Sequence, residues 1–189
     1  MEIKKTKLAN EIWEGIKSLV PIIIIVLFIR TFIAQPFIVS GESMYPTFHD
    51  KEYLIVDELS YRLGTPDRGD VVVLRYPLEE KRFFIKRLIG MPGDTITFRA
   101  GKVFITEPGQ EIRQIDEPYY RGTTIPGNET TVVLQEKEYF VMGDNRNFSS
   151  DSRAWGILPE HDLIGRAAVR LLPLSKIDLM PGSLNSFNQ

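Results

Sequence analysis

The chain has 189 residues, 23 basic and 25 acidic, a formal charge of −2, and no cysteine. That composition excludes a disulfide scaffold, a thiolate metal site and a thiol nucleophile, and it offers no basic excess for nucleic acid. Only two histidines are present, His49 and His161, and neither sits at ligand spacing, so no metal and no cofactor is expected.

Lys4, Lys5, Lys7 and Lys17 precede an apolar run, 19–29, broken only by Pro21. Phe32, Ile33, Ala34, Phe37, Ile38 and Val39 extend it past Arg30. The pattern predicts a helix from about Trp13 or Ile16 to Ala34, with Arg30 snorkelling to the outer interface. Bulky Phe32 disfavours cleavage after Ala34, so the segment reads as a retained anchor rather than a leader. The expected organisation is a basic cytoplasmic end (1–15), a single transmembrane anchor (16–36) and an extracytoplasmic β-rich domain (37–189). Positive charge before the first span holds the N-terminus in the cytoplasm, which makes the cell membrane the expected location and the lipid bilayer a partner.

Beyond Phe37 the chain breaks into short β-type segments: 53–56, 70–75, 82–89, 95–99, 102–106, 130–134, 139–142 and 163–171. Turn signals separate them, among them Pro66-Asp67-Arg68-Gly69, Met91-Pro92-Gly93, Arg99-Ala100-Gly101 and Pro126-Gly127-Asn128. Residues 107–129 hold prolines, glycines and many polar groups, and read as a long surface excursion. Short helices are expected only near 57–63 and 151–155. The expected fold class is mainly β.

Three segments carry chemistry. Ser43 lies in Ser40-Gly41-Glu42-Ser43-Met44-Tyr45-Pro46-Thr47, Lys86 follows Phe83-Phe84-Ile85, and residues 143–156 read GDNRNFSSDSRAWG. Serine needs a base to become a nucleophile, and no histidine lies in any of these segments. A lysine can serve if burial among apolar groups lowers its pKa toward 7 or 8. On a strand, Phe84 and Leu88 share the face of Lys86, an apolar setting unusual for a lysine with only a structural role.

Together the three segments closely resemble the sequence boxes of type I signal peptidases, membrane-bound Ser/Lys proteases that remove signal peptides from exported proteins. The resemblance runs from about Phe37 to Leu172. It implies a domain of coiled, partly open antiparallel β-sheets, acting on the signal peptides of preproteins and cutting after small residues at −1 and −3. It makes Ser43 the nucleophile and Lys86 the general base, with Ser149 orienting the amine, although Ser150 and Ser152 also lie in that loop. Asp151 with Arg153 and Asp144 with Arg87 would be supporting pairs. The Ser43 N–H would hold the oxyanion, and Gly41, where some members carry serine, would bring its backbone close. Phe37, Val39, Met44, Phe84 and Ile85 would line the substrate pockets. No cofactor is implied, and a monomer is expected. Rival readings are a specialised Ser/Lys maturation protease of pilin or conjugation type, and an inactive membrane-tethered peptide-binding module. A self-cleaving repressor of similar chemistry fits less well with an anchor at the N-terminus.

Overall fold

A computed structural model describes residues 13–26, 34–120 and 129–183. Two antiparallel sheets build the domain. The larger follows the order β1 (Ala34–Ile38), β2 (Tyr53–Asp57), β11 (Leu163–Leu172), β3 (Val71–Tyr76), β4 (Glu79–Gly90), β9 (Glu138–Met142) and β10 (Leu158–Pro159), with β12 (Asp178–Leu179) paired to β11. The smaller runs β7 (Arg113–Gln114), β6 (Lys102–Thr106), β5 (Thr95–Arg99) and β8 (Thr130–Val133). Two short helices, α2 (Leu59–Leu63) and α3 (Ser152–Trp155), lie where the sequence places them.

The strand patterns explain the layering. The first four residues of β3 are all buried, as for a strand covered on both faces. In β4 only the second half enters the core, so its first half stands out as a hairpin arm with β3. The β5–β6 hairpin turns at Ala100 and Gly101, both at positive φ, which is the two-residue turn that matches the twist of its strands. Ile89, Ile96, Ile105, Leu134 and Phe140 join the small sheet to the large one in a single apolar cluster. A second cluster, with Met44, Phe48, Leu54 and Val71, lies beneath the β1–β2 connection.

Every expected strand is present within a few residues of its predicted ends, whereas β1, β7, β10 and β12 were not anticipated. Helix α1 spans 13–26 and is exposed throughout; among the described residues no helix is long and apolar enough to cross a membrane. Ala34, expected to end the anchor helix, and residues 35–36, expected within the anchor, instead begin β1. Pro36 explains the difference: it disfavours helix at and before its own position, and it is tolerated on β1, an edge strand. The expected continuation through Arg30, the basic residues Lys4, Lys5 and Lys7, and the Pro126-Gly127-Asn128 turn lie outside the described residues.

Candidate active site

Ser43 sits in the connection from β1 to β2. The base of this loop is closed by Val39 N–H to Glu52 O (2.9 Å) and Lys51 N–H to Val39 O (2.9 Å). Gly41 takes a φ of +87°, favourable only for glycine, and gives its N–H to Asp50 Oδ1 at 2.9 Å. Met44 and Phe48 then plug the loop into the core, almost wholly buried. The segment is thus fixed from both sides of Ser43.

Strand β4 brings Lys86 to it. Pairing with Val72 sets the register, and Lys86 Nζ lies 2.8 Å from both Ser43 Oγ and Ile85 O. The amine sits 4.9 Å from the centre of the Phe84 ring, the residue two back on the strand, as the strand period predicts. Only 3% of Lys86 is exposed. That burial pushes its pKa from 10.5 down to about 8, against the opposing fields of Asp151 and Asp144. The drop corresponds to about 3 kcal/mol in favour of the neutral amine.

The third segment closes over this pair. Gly143 has no room for a side chain: a methyl there would overlap Ser149 Oγ and the Ser43 carbonyl. Its N–H reaches Asp151 Oδ2 at 2.9 Å, and Asp151 pairs with Arg153 at 2.8 Å while capping α3. Burial alone would raise the Asp151 carboxyl, but Arg153, the Gly143 N–H and the nearby Ser149 hydroxyl hold it below the usual value. Arg87, on the opposite face of β4 from Lys86, makes a bidentate pair with Asp144 (2.7 and 2.6 Å), both wholly buried. Thr47, from the loop that carries Ser43, donates to the same carboxylate.

The three serines of the loop separate clearly. Ser152 Oγ accepts the Val141 N–H at 3.0 Å, so it is structural, and Ser150 is exposed at the cleft. Ser149 Oγ is buried beside Gly143 without a partner in hydrogen-bond geometry. The hydrogen bonds of Lys86 go to Ser43 and Ile85, not to Ser149.

A cleft of about 280 Å³ opens over Ser43 and Lys86. Phe37, Val39, Phe84 and Ile85 line it, with Ile38 beside them and with Phe83 and Phe148, which were not expected to line the pockets. Two expectations are corrected. Met44 does not line the cleft, because its side chain is only 1% exposed and packs with Phe48 and Leu54. Gly41 cannot offer its N–H to an oxyanion, because Asp50 already holds it. The charges expected to pair do so, and Arg87, Asp144 and Asp151 are buried rather than set in a solvated surface network.

The model of the family described as signal peptidase, peptidase S26, matches residues 12–172. A probable signal peptidase I-2 of Synechocystis sp. is 38% identical over 170 residues, 87% of this chain and 75% of that protein. The signal peptidase I of Bacillus licheniformis is 33% identical over 186 residues, 93% of this chain and 97% of that one. A crystal structure of a signal peptidase I from Enterococcus faecalis aligns at 26% identity with a TM-score of 0.45, covering 54% of this chain and 96% of that chain. The chain belongs to the peptidase S26 family of signal peptidases.

Proposed function

We propose that this protein is a membrane-anchored endopeptidase that removes signal peptides from exported preproteins, with Ser43 as nucleophile and Lys86 as general base. The observation that carries the reading is the 2.8 Å contact between a serine hydroxyl and a buried amine of lowered pKa at the floor of an open cleft.

The substrate's path follows from the strand edges. β1 pairs only with β2 among the described residues, and the first half of β4 has no neighbour on the side that β9 occupies further along. An extended peptide lies between these edges, hydrogen-bonding along them while alternate side chains enter the apolar cleft. The shallow walls made by Phe37, Val39, Phe84 and Ile85 favour small residues at −1 and −3.

In the reactive form Lys86 is neutral and accepts the Ser43 proton as Oγ attacks the scissile carbonyl. The carbonyl electron pair becomes an oxyanion held by the Ser43 N–H. The Lys86 ammonium then protonates the leaving amine, the C–N bond breaks, and an ester to Ser43 remains. A water, deprotonated by Lys86, hydrolyses that ester and returns the proton to Ser43. Ser149, whose hydroxyl is buried against Gly143 beside the Ser43 carbonyl, orients the amine. Asp151 with Arg153, and Asp144 with Arg87, hold the loop that presses on Ser43.

The anchor reading rests on sequence and on α1. Trp13, Ile16, Leu19, Val20 and Ile22–Val26 are exposed apolar residues that none of the other described residues covers, and the apolar sequence continues to Ile29. Lipid is the environment that suits such a helix, with the preceding lysines on the cytoplasmic side. The test is cleavage of an Ala-x-Ala signal peptide by the full chain in lipid, with the product ends identified by mass spectrometry. One cut after the second alanine is expected, absent in Ser43→Ala and Lys86→Ala. Continued cleavage by either variant removes the dyad assignment.

A further inference from the structure

Asn145 holds the peptide groups on both sides of Ser43. Its backbone N–H donates to Ser43 O at 3.0 Å. Its side-chain Nδ2 donates to Glu42 O at 3.1 Å, an oxygen that also accepts the Tyr45 N–H at 3.1 Å. A peptide group is planar and trans, so the Glu42 carbonyl and the Ser43 N–H point in opposite directions. Drawing that carbonyl toward Asn145 turns the Ser43 N–H away from it. This N–H donates to no acceptor among the described residues.

We propose that Asn145 is a positioning residue that fixes the Ser43 N–H as the oxyanion donor; the inference rests on the peptidase reading above. The need is acute in this chain, because the Gly41 N–H is bound to Asp50 and leaves the Ser43 N–H as the donor identified for that role. Asn145 does not line the cleft over Ser43; it faces the adjoining groove with Tyr45, Tyr120 and Phe148. Its effect therefore passes through the backbone rather than through contact with the scissile bond. Asparagine suits the task because its amide donates to Glu42 O without charge, whereas an aspartate would set a carboxylate oxygen against that carbonyl.

The experiment uses the full chain in detergent micelles, comparing wild type with Asn145→Ala and the near-isosteric Asn145→Asp. Turnover of an Ala-x-Ala peptide is measured alongside inhibition by the corresponding peptide aldehyde. Ser43 Oγ adds to that aldehyde carbon, its proton passing to Lys86 and the carbonyl pair becoming the oxyanion. Ground-state affinity is read as the Kd of the uncleaved peptide on Ser43→Ala with and without Asn145→Ala. The expected result is a kcat lower by roughly tenfold or more, short of the roughly 10²–10³ for outright loss of a donor, because the Tyr45 N–H still holds Glu42 O. KM and peptide Kd should stay within about twofold, and aldehyde affinity should fall in step with kcat. The acid limb of the pH profile should stay where wild type has it. A fall in kcat without a parallel loss of aldehyde affinity, a rise in KM alone, or a displaced acid limb each overturns the inference. If the Ala variant melts below the assay temperature, the Asp variant carries the same comparison. A folded wild type that cleaves nothing overturns the peptidase reading itself, and this inference with it, before any variant is compared.

Discussion

Replacing Lys86 with methionine should abolish turnover and yet change stability in a direction set by pH. The folded pKa of about 8 lies below the unfolded value near 10.5. Between those values the unfolded chain binds the proton that the folded chain refuses, so wild-type stability rises with pH across that window. Below about pH 8 the full penalty for a buried ammonium is present, about 3 kcal/mol by the size of the shift. Lys86→Met escapes it, but loses the contacts to Ser43 Oγ and Ile85 O, worth about 1 kcal/mol each. The variant should therefore match or slightly exceed wild type at pH 6–7 and fall below it near pH 11. The difference between the two proteins should swing by about 3 kcal/mol in all. Thermal unfolding of the full chain in detergent, followed by near-ultraviolet circular dichroism at both pH values, measures this directly, since groups common to both proteins cancel. A stability difference that does not vary with pH, or one that swings the other way, would refute the claim that Lys86 is held neutral by burial.

Two other substitutions probe the scaffold around the dyad. Gly143→Ala forces a methyl against Ser149 Oγ and the Ser43 carbonyl, so turnover should drop to background even where the protein still folds; near-native kcat would show that this close approach is not needed. Asp144→Ala strands the Arg87 guanidinium, which is wholly buried, and should destabilise the fold by about 3–5 kcal/mol in chemical denaturation. A loss below about 1 kcal/mol would place that pair among solvated ones.

Much of the fold was legible because its strands announce themselves. Val71-Val72-Val73-Leu74 and Thr95–Arg99 combine β-branched residues with flanking turn chemistry, so period and punctuation agree. β10 and β12, at two residues each, are too short to have a period, and β1 was hidden because its apolar residues continue the run of the anchor. At the site, Ser43 and Lys86 stood out because a candidate nucleophile and base are marked by residue type within dense motifs. Met44 misled because an apolar residue beside a nucleophile looks the same in sequence whether it turns toward substrate or toward Phe48. Gly41 misled because the Asp50 side chain that takes its N–H lies nine residues on, a distance no local pattern encodes. Pairing across long separations was equally invisible. Arg170 with Glu52, and Arg68 with Asp94, are buried ion pairs between segments that sequence offers no reason to join.

The central claim is that a neutral lysine, not a histidine, takes the proton from Ser43, and the pH dependence of kcat/KM tests it most directly. Measured on the full chain in lipid with an Ala-x-Ala signal peptide, activity should rise with pH through one ionisation near 8, the value that burial gives Lys86. Below that point it should fall tenfold per unit, reaching roughly 1% of its plateau at pH 6. A limb centred near 6.5, the ordinary range of an imidazole, or a profile flat from pH 6 to 9, would contradict it.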